Sequence, residues 1–596
     1  MPGIVGLITR MPPAEAAREL CQMLAVLCHE SFYVTGTWTD ESLGVYVGWV
    51  ARKGSFSDGM PLRNERGDAV LVFSGEDHPA PGTVHAARSP YLVRMSEEDP
   101  AFPASLNGRF HGLLVDRRRR EARLFIDRYG LHRLYYRESR EAFYFAAEAK
   151  AILAVRPEVR RLDPTGAGEY AACGCTLEGR SLFEGIRVLN GGSRWVFRNG
   201  VLEEKGAYFK PAEWEQQPPL DPESYYRELR DVFSRSLPRY FNGDQPIAMS
   251  LTGGLDTRMI MAWQRPSAGS LPCYTFGGML RDCQDVITAR RLAQECDQPH
   301  QVLRVGREFL KCFPYYAERA VYLTDGCVDV GRSPDLYVNE RSREIAPVRI
   351  TGTYGGEILR RVRSFKPTAP LPGLFQPEFV SSIQQAGETY ARNLLGHPLS
   401  YAAFKQTPWN HYGVLALDET QLSVRAPYLD NDLVRTVFRA PEAATTNNAV
   451  SLRLIADGNK ALLKIPTDRG LAGERGRISG AISRLFLEFL FKAEYAYDMG
   501  MPQPVARVNH FLSAFHLERL FLGRHKYLHF RIWYRDALAG YVREVLLDAR
   551  SLSRPYLERK RVEAVVRGHL KGDRNYTNEI HQLLTLELVH RRFIDQ

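Results

Sequence analysis

Between Pro246 and Trp263 the chain reads PIAMSLTGGLDTRMIMAW, and this stretch limits the fold more than any other. A short apolar run meets two glycines, one acid, and then a second apolar run through Met259, Ile260 and Trp263. The first run is read as a parallel strand and the second as a helix. Gly253 and Gly254 fall in the turn, where missing side chains let backbone amides approach a ligand. The helix N-terminus adds its orphan N–H groups and positive dipole end, which favour an anion. No G-K-[ST] follows, so this is not a Walker A loop, and the G-x-G-x-x-G spacing is absent too. Asp256 inside such a loop repels phosphate unless a cation lies between them, which implies Mg²⁺. The reading without a ligand is a Gly-Gly strand–helix turn with Asp256 as its cap.

At 596 residues the chain exceeds one ordinary core, so two or three domains are expected. Apolar residues make up 44% and charged residues 25%, which places it among soluble globular proteins. No apolar run approaches the length of a membrane span. The start, MPGIVGLITR, lacks the basic, apolar and cleavage regions of a secretory signal. Nine scattered cysteines suit a reducing cytoplasm, the expected location. Cys173 and Cys175 form C-x-C with no further ligands at metal spacing, so no zinc site is expected. The net charge of +10 has much of its excess late, in RGHLKGDRNY and VHRRFIDQ. It is read as a solvated basic face. No nucleic-acid motif accompanies it, so neither nucleic acid nor membrane is an expected partner.

The texture changes along the chain. Residues 1–205 carry hairpin signals, with Asn199-Gly200 between alternating runs as a type I′ turn and further breaks at Asn107-Gly108 and Asn190-Gly191. This half is read as antiparallel sheets with a few helices. Residues 206–220 are proline-rich, aperiodic and read as a linker. A helix is expected from Asp221, with Pro222 at its first position and Tyr225, Leu229, Val232, Phe233 and Leu237 on its apolar face. From there to 596, helices alternate with short apolar runs, and the end is mostly helical.

LTGGLDT resembles the S-G-G-x-D-S pyrophosphate loop of the asparagine synthetase-type ATP pyrophosphatases, with Thr252 and Thr257 where serines are usual. DRYGLHRLYY is similar to the family's D-R-[FY]-G-x-x-P-L-Y-Y, FAAEAKAIL to F-A-S-E-x-K-A-L, and RAPYLDNDLV to R-x-P-F-L-D-x-x-L-V. TGTYGGE sits where the family has S-G-x-G-A-D-E. These matches run in order from the start to beyond residue 430. The resemblance implies an α+β N-terminal sandwich of antiparallel sheets with helices, a glutamine amidotransferase-like (Ntn-type) domain. An α/β parallel-sheet ATP pyrophosphatase domain with a helical C-terminal region would follow it.

In the family the first module hydrolyses glutamine with a cysteine directly after the initiator Met. Here that residue is Pro2, which has no nucleophilic side chain. The family's R-G-P-D is missing from HESFYVTGTW, and its N-G-E reads S-G-E, with Ser74 in place of the oxyanion Asn. A retained scaffold without glutaminase activity is expected.

For the second module the resemblance implies a carboxylate activated by ATP as an acyl-adenylate, with an amine then displacing AMP. Ser250, Thr252, Gly253, Gly254, Leu255, Asp256 and Thr257 would form the pyrophosphate loop, with Asp256 as the Mg²⁺ ligand. Thr275, Phe276 and Gly277 would lie near the adenosine, and Thr351 and Gly352 in a further nucleotide-contacting turn. The family's second metal-binding Asp aligns with Gly356, leaving Glu357 as the nearest carboxylate. The Glu that usually precedes R-x-P-F-L-D aligns with Ser423. GNKALLKIPTDRG is similar to the family's basic K-x-x-L-R stretch, and Lys464 is the candidate for phosphate charge, with Lys460 and Arg469 as alternatives. Asp430 also reads as a helix cap, and Asp127 with Arg128 as an internal structural pair.

Three functions follow as expectations. The first is an AMP-forming amide ligase using ATP, Mg²⁺, a small-molecule or peptide carboxylate and a non-glutamine amine. The second is an asparagine synthetase fed by free ammonia or an ammonia-supplying partner. The third is a nucleotide-binding pseudoenzyme. A homodimer is a further partner left open.

Overall fold

The computed structural model describes residues 1–79, 89–471, 477–500, 503, 518 and 521–596. Among the described residues, twelve strands precede residue 208: β1 Gly3–Thr9, β2 Tyr33–Asp40, β3 Val45–Arg52, β4 Leu62–Arg63, β5 Ala69–Asp77, β6 Gly108–Asp116, β7 Glu121–Ile126, β8 Tyr135–Glu138, β9 Ala142–Ala146, β10 Arg187–Val188, β11 Ser193–Arg198 and β12 Val201–Ala207. They form two six-stranded antiparallel sheets, ordered β10-β8-β9-β1-β3-β2 and β12-β11-β7-β6-β5-β4. The period of two explains the layering. Ile4 and Ile8 of β1 pack with Val72, Phe110 and Leu124 of the second sheet, while Val5 and Leu7 pack with helical residues such as Leu20 and Met23. One sheet face therefore meets the other sheet and its opposite face meets helices.

Asn199 and Gly200 both have positive φ, 49° and 76°, and join β11 to β12 as the type I′ signal requires. Asn107 turns out differently. Its side chain reaches the second half of the chain, donating to Asp430 Oδ2 at 2.9 Å and accepting from Asn431 N at 2.9 Å. The stretch expected as a linker carries a short helix, Ala212–Glu215, whose Trp214 is buried against Phe209, Phe404 and Phe438. An aromatic anchor fixes this segment despite its prolines.

Asp221 caps the next helix, Pro222–Ser236, accepting from Glu223 N and Ser224 N, and the expected face is buried. Five parallel strands follow: β13 Ile247–Ser250, β14 Cys273–Gly277, β15 His300–Arg304, β16 Val348–Ile350 and β17 Ser423–Arg425. Their order is β15-β14-β13-β16-β17. The chain enters at the centre, builds outward through β14 and β15, then returns to the other side of β13. The strand order reverses between β13 and β16, and in open α/β sheets ligands bind outside the carboxyl ends at such a point. Among the described residues no helix is long and apolar enough to cross a membrane.

Candidate active site

The loop after β13 lies at this switch point. Its threonines serve the loop itself: Thr252 N and Thr252 Oγ1 lie 3.3 and 3.2 Å from Thr257 Oγ1. Gly253 N–H donates to Asp285 Oδ1 at 2.7 Å, so this amide already serves an anion. Burial, with Asp468 nearby, raises the Asp285 carboxyl from 3.8 to about 6. A Cβ on Gly254 would meet only Thr252 Oγ1, at 3.6 Å, so the space over that residue is open. A Cβ on Gly352, in the turn after β16, would come within 2.8 Å of Thr257 N and 3.0 Å of Asp256 Cβ. Only glycine lets that turn pack against the helix Asp256–Gln264. Tyr354 in the same turn is buried with φ 73°, a left-handed conformation that is costly for a bulky side chain. The S-G-x-G-A-D-E pattern has glycine at that position.

The structure thus brings together Asp256, Gly352, Gly355, Gly356 and Glu357. Thr351 Oγ1 bonds Thr353 Oγ1 at 2.8 Å. Ser250 ends β13 beside β14. The hydroxyl of Thr275 is spent between strands, donating to Leu251 O at 2.7 Å and lying 2.8 Å from His300 Nε2. Phe276 lies 5.9 Å from the Tyr274 ring, and Gly277 packs on Val302. Lys464 is exposed at the end of the turn Lys460–Lys464. Arg469 also has an exposed position, with its guanidinium over the Phe491 ring.

Arg258 was not anticipated as part of this region. It is fully buried and donates to the carbonyls of Gly253, Leu462 and Ile465, tying the segment after residue 460 to the glycine loop. Burial lowers its guanidinium to about 10. Its signal in the sequence was a lone basic residue inside the helix run DTRMIMAW. Asp430 is buried, caps the helix Asn431–Val437, and also accepts from Arg239 and Tyr240. Asp127 and Arg128 are structural but not a pair. Asp127 accepts from Tyr129 N and His132 N, whereas Arg128 donates to Leu106 O and Ala104 O.

The donor set does not fit a resident Mg²⁺. Both oxygens of Asp256 are engaged by Arg360 Nη2, at 2.7 and 2.8 Å. Burial holds the Asp256 carboxyl above its ordinary value even so. Residue 356 offers no oxygen ligand from a side chain, and Glu357 lies 3.1 Å from His411 Nε2. Burial raises the Glu357 carboxyl and His411 more than reverses the rise. Among the described residues no group of three or more His, Cys, Asp or Glu side chains is arranged to hold a metal.

In the N-terminal half, Pro2 lines a polar cavity with Arg52, Ser74, Arg109, His132 and Glu419. Ser74 Oγ is 3.0 Å from His132 Nε2, and His132 Nδ1 is 3.5 Å from Glu419 Oε2. The order Ser-His-Glu is that of a hydrolytic triad. The cavity, however, has about 30 Å³ of room for water, and one water needs about 10–15 Å³. An acyl substrate does not fit. The three side chains instead seal the two halves together. Arg109 also lies 2.8 Å from Glu419, Arg52 donates to Ser423 Oγ at 2.9 Å, and Arg425 grips Glu76 through two contacts of 2.9 Å. Burial raises the Glu419 carboxyl, but Arg109 and His132 outweigh it and hold the group at about 2.

The chain thus joins an antiparallel two-sheet half to a parallel-sheet half with a glycine loop at its switch point. Residues 92–209 match the glutamine amidotransferase domain family. The chain is 23% identical over 404 residues to asparagine synthetase [glutamine-hydrolyzing] 1 of Bacillus subtilis, covering 62% of this chain and 61% of that relative. It is 28% identical over 159 residues to asparagine synthetase [glutamine-hydrolyzing] 3 of the same organism, covering 26% and 25%. The matches thus span less than two thirds of these relatives. A solved glutamine phosphoribosylpyrophosphate amidotransferase from B. subtilis overlaps half of this chain at 10% identity and a TM-score of 0.27, too low to carry an argument. These matches make the chain similar to asparagine synthetases over part of its length.

Proposed function

We propose that this protein is an ATP-dependent, AMP-forming amide ligase that does not draw its nitrogen from glutamine. In this reading a carboxylate substrate takes the adenylyl group of ATP, pyrophosphate leaves, and an amine then displaces AMP. The observation that carries the reading is the Thr252–Asp256 loop at the β13/β16 switch point, with the Gly352 turn packed against it. The open space over Gly254 lets its backbone approach phosphate, and the helix N-terminus offers positive potential to the charge that develops on the leaving group. Gly352 and Gly355 hold Asp256 in place by close packing. Tyr428 fixes the same residue by donating to its backbone carbonyl at 2.7 Å.

Loss of glutaminase chemistry is supported by Pro2 and by Ser74, whose hydroxyl is engaged with His132. The amine then arrives as free ammonia, from a partner, or on the substrate itself. The test is pyrophosphate release from ATP with pooled carboxylates and amines, alongside calorimetric ATP binding. Carboxylate-dependent release that is lost in Asp256→Ala is expected, and absence of ATP binding overturns the reading. A nucleotide-binding pseudoenzyme is the second reading, favoured by the Arg360 guanidinium on Asp256. ATP binding without release under any substrate pool selects it.

A further inference from the structure

We infer that Arg360 is the built-in cation of this site, and that the chain binds the phosphates of its nucleotide through a guanidinium where two acids would otherwise grip a metal ion. This rests on the nucleotide reading above only for the identity of the ligand.

Arg360 closes the short helix Gly355–Arg360. Side chains four residues apart share a helix face, and long ones lean toward the N-terminus, so the side chain of residue 360 covers residue 356. A Cβ added to Gly356 would lie 3.5 Å from Arg360 Nη2. The same nitrogen is 2.7 and 2.8 Å from the two oxygens of Asp256. The guanidinium therefore occupies the space between Asp256 and residue 356, the two positions to which the family resemblance assigns metal-binding acids.

Nη2 donates to both oxygens of Asp256, and Nη1 donates to Ser451 Oγ at 3.0 Å. A guanidinium has five N–H donors, and among the described residues the Nε–H and one Nη1–H have no partner, which leaves them for an oxyanion. The pair is not sealed: the Arg360 and Asp256 side chains are 13% and 23% exposed. A guanidinium stays charged at every working pH and matches phosphate oxygens with paired N–H groups. Asp256 then acts as a positioning residue that aims the cation, and an acid at 356 has no role left.

The experiment is calorimetry of inorganic pyrophosphate, and separately of ATP, with magnesium chelated by EDTA and with magnesium added. Wild type is expected to bind pyrophosphate in EDTA. Arg360→Ala is expected to weaken that binding by about tenfold or more, the loss of a charge-assisted pair. Gly356→Asp with Arg360→Gly is expected to abolish binding in EDTA and recover it when magnesium is added. If Arg360→Ala does not fold, the double variant Asp256→Asn/Arg360→Ala removes both charges together and carries the same expectation. Wild-type binding that requires magnesium, or undiminished binding in EDTA without Arg360, overturns the inference and leaves the nucleotide reading standing. Failure of the wild type to bind pyrophosphate or ATP in either condition overturns both.

Discussion

Asp285→Asn separates the electrostatics of the glycine loop from its shape. The wild-type carboxylate accepts from Gly253 N–H at 2.7 Å and is buried beside Asp468. Burial raises its proton affinity in the folded state above that in the unfolded chain. Between the ordinary 3.8 and about 6 the folded protein therefore holds more protons than the unfolded one, so stability falls as pH rises through this window. Above it the ionised group costs about 3 kcal/mol, an upper bound because Asp285 keeps some exposure. Asparagine retains an oxygen for the Gly253 amide and drops the charge. Denaturant unfolding of both proteins near pH 4 and near pH 8 is the assay. The variant is expected to match wild type at the lower pH and exceed its stability at the higher. Its pyrophosphate affinity near pH 8 is expected to rise, because an ionised carboxylate no longer repels the phosphate or competes as strongly for the amide. A stability difference that does not change with pH, or a variant less stable than wild type near pH 8, refutes the reasoning.

Gly254→Val is expected to fold normally, since a Cβ there meets only Thr252 Oγ1 at 3.6 Å, yet to lose ATP affinity by calorimetry. Unchanged affinity makes the loop a structural turn. Pro2→Cys is expected to release no glutamate from glutamine at a rate near that of a working amidotransferase. In the proposed reading Ser74 stands where an oxyanion donor worth about 2.7–4 kcal/mol is needed, and brisk glutamate production by the variant contradicts this. Glu419→Leu is expected to lower stability by about 3–5 kcal/mol, because it strips a buried ion pair and leaves Arg109 without its carboxylate. A denaturation midpoint equal to wild type removes the seal between the halves from the account.

The loop after β13 was legible because its signals are local. A strand period, two glycines and a helix period follow one another within eighteen residues, Pro246 to Trp263. The Asn199-Gly200 hairpin and the Asp221 cap were legible for the same reason. Asn107 was not, because an Asn-Gly pair announces a turn, whereas this asparagine spends its amide on Asp430, 323 residues away. Trp214 was missed because proline-rich composition hides an anchor whose partners, Phe404 and Phe438, come from a distant part of the chain. Arg258 was not singled out in the sequence. Only the fold shows that carbonyls from the turn after residue 460 enclose it.

Arg360 lies between these cases. Its contact with Asp256 spans 104 residues and is invisible in sequence. Its relation to residue 356 is not, since four residues on one helix make a vertical pair. Gly356 reads alone as a lost metal ligand and argues for a dead enzyme. Together with an arginine one turn later it reads differently, because the guanidinium occupies the space that an acid at 356 would need. Deleting an acid would leave Asp256 as a buried carboxylate with nothing opposite it, a costly state in a partly dry site. The Arg360 pair removes that cost in the absence of a metal. Gly356 and Arg360 make physical sense as a unit, so Gly356→Asp alone is expected to add a second acid to a guanidinium already held by Asp256 and Ser451 and to leave magnesium affinity unchanged.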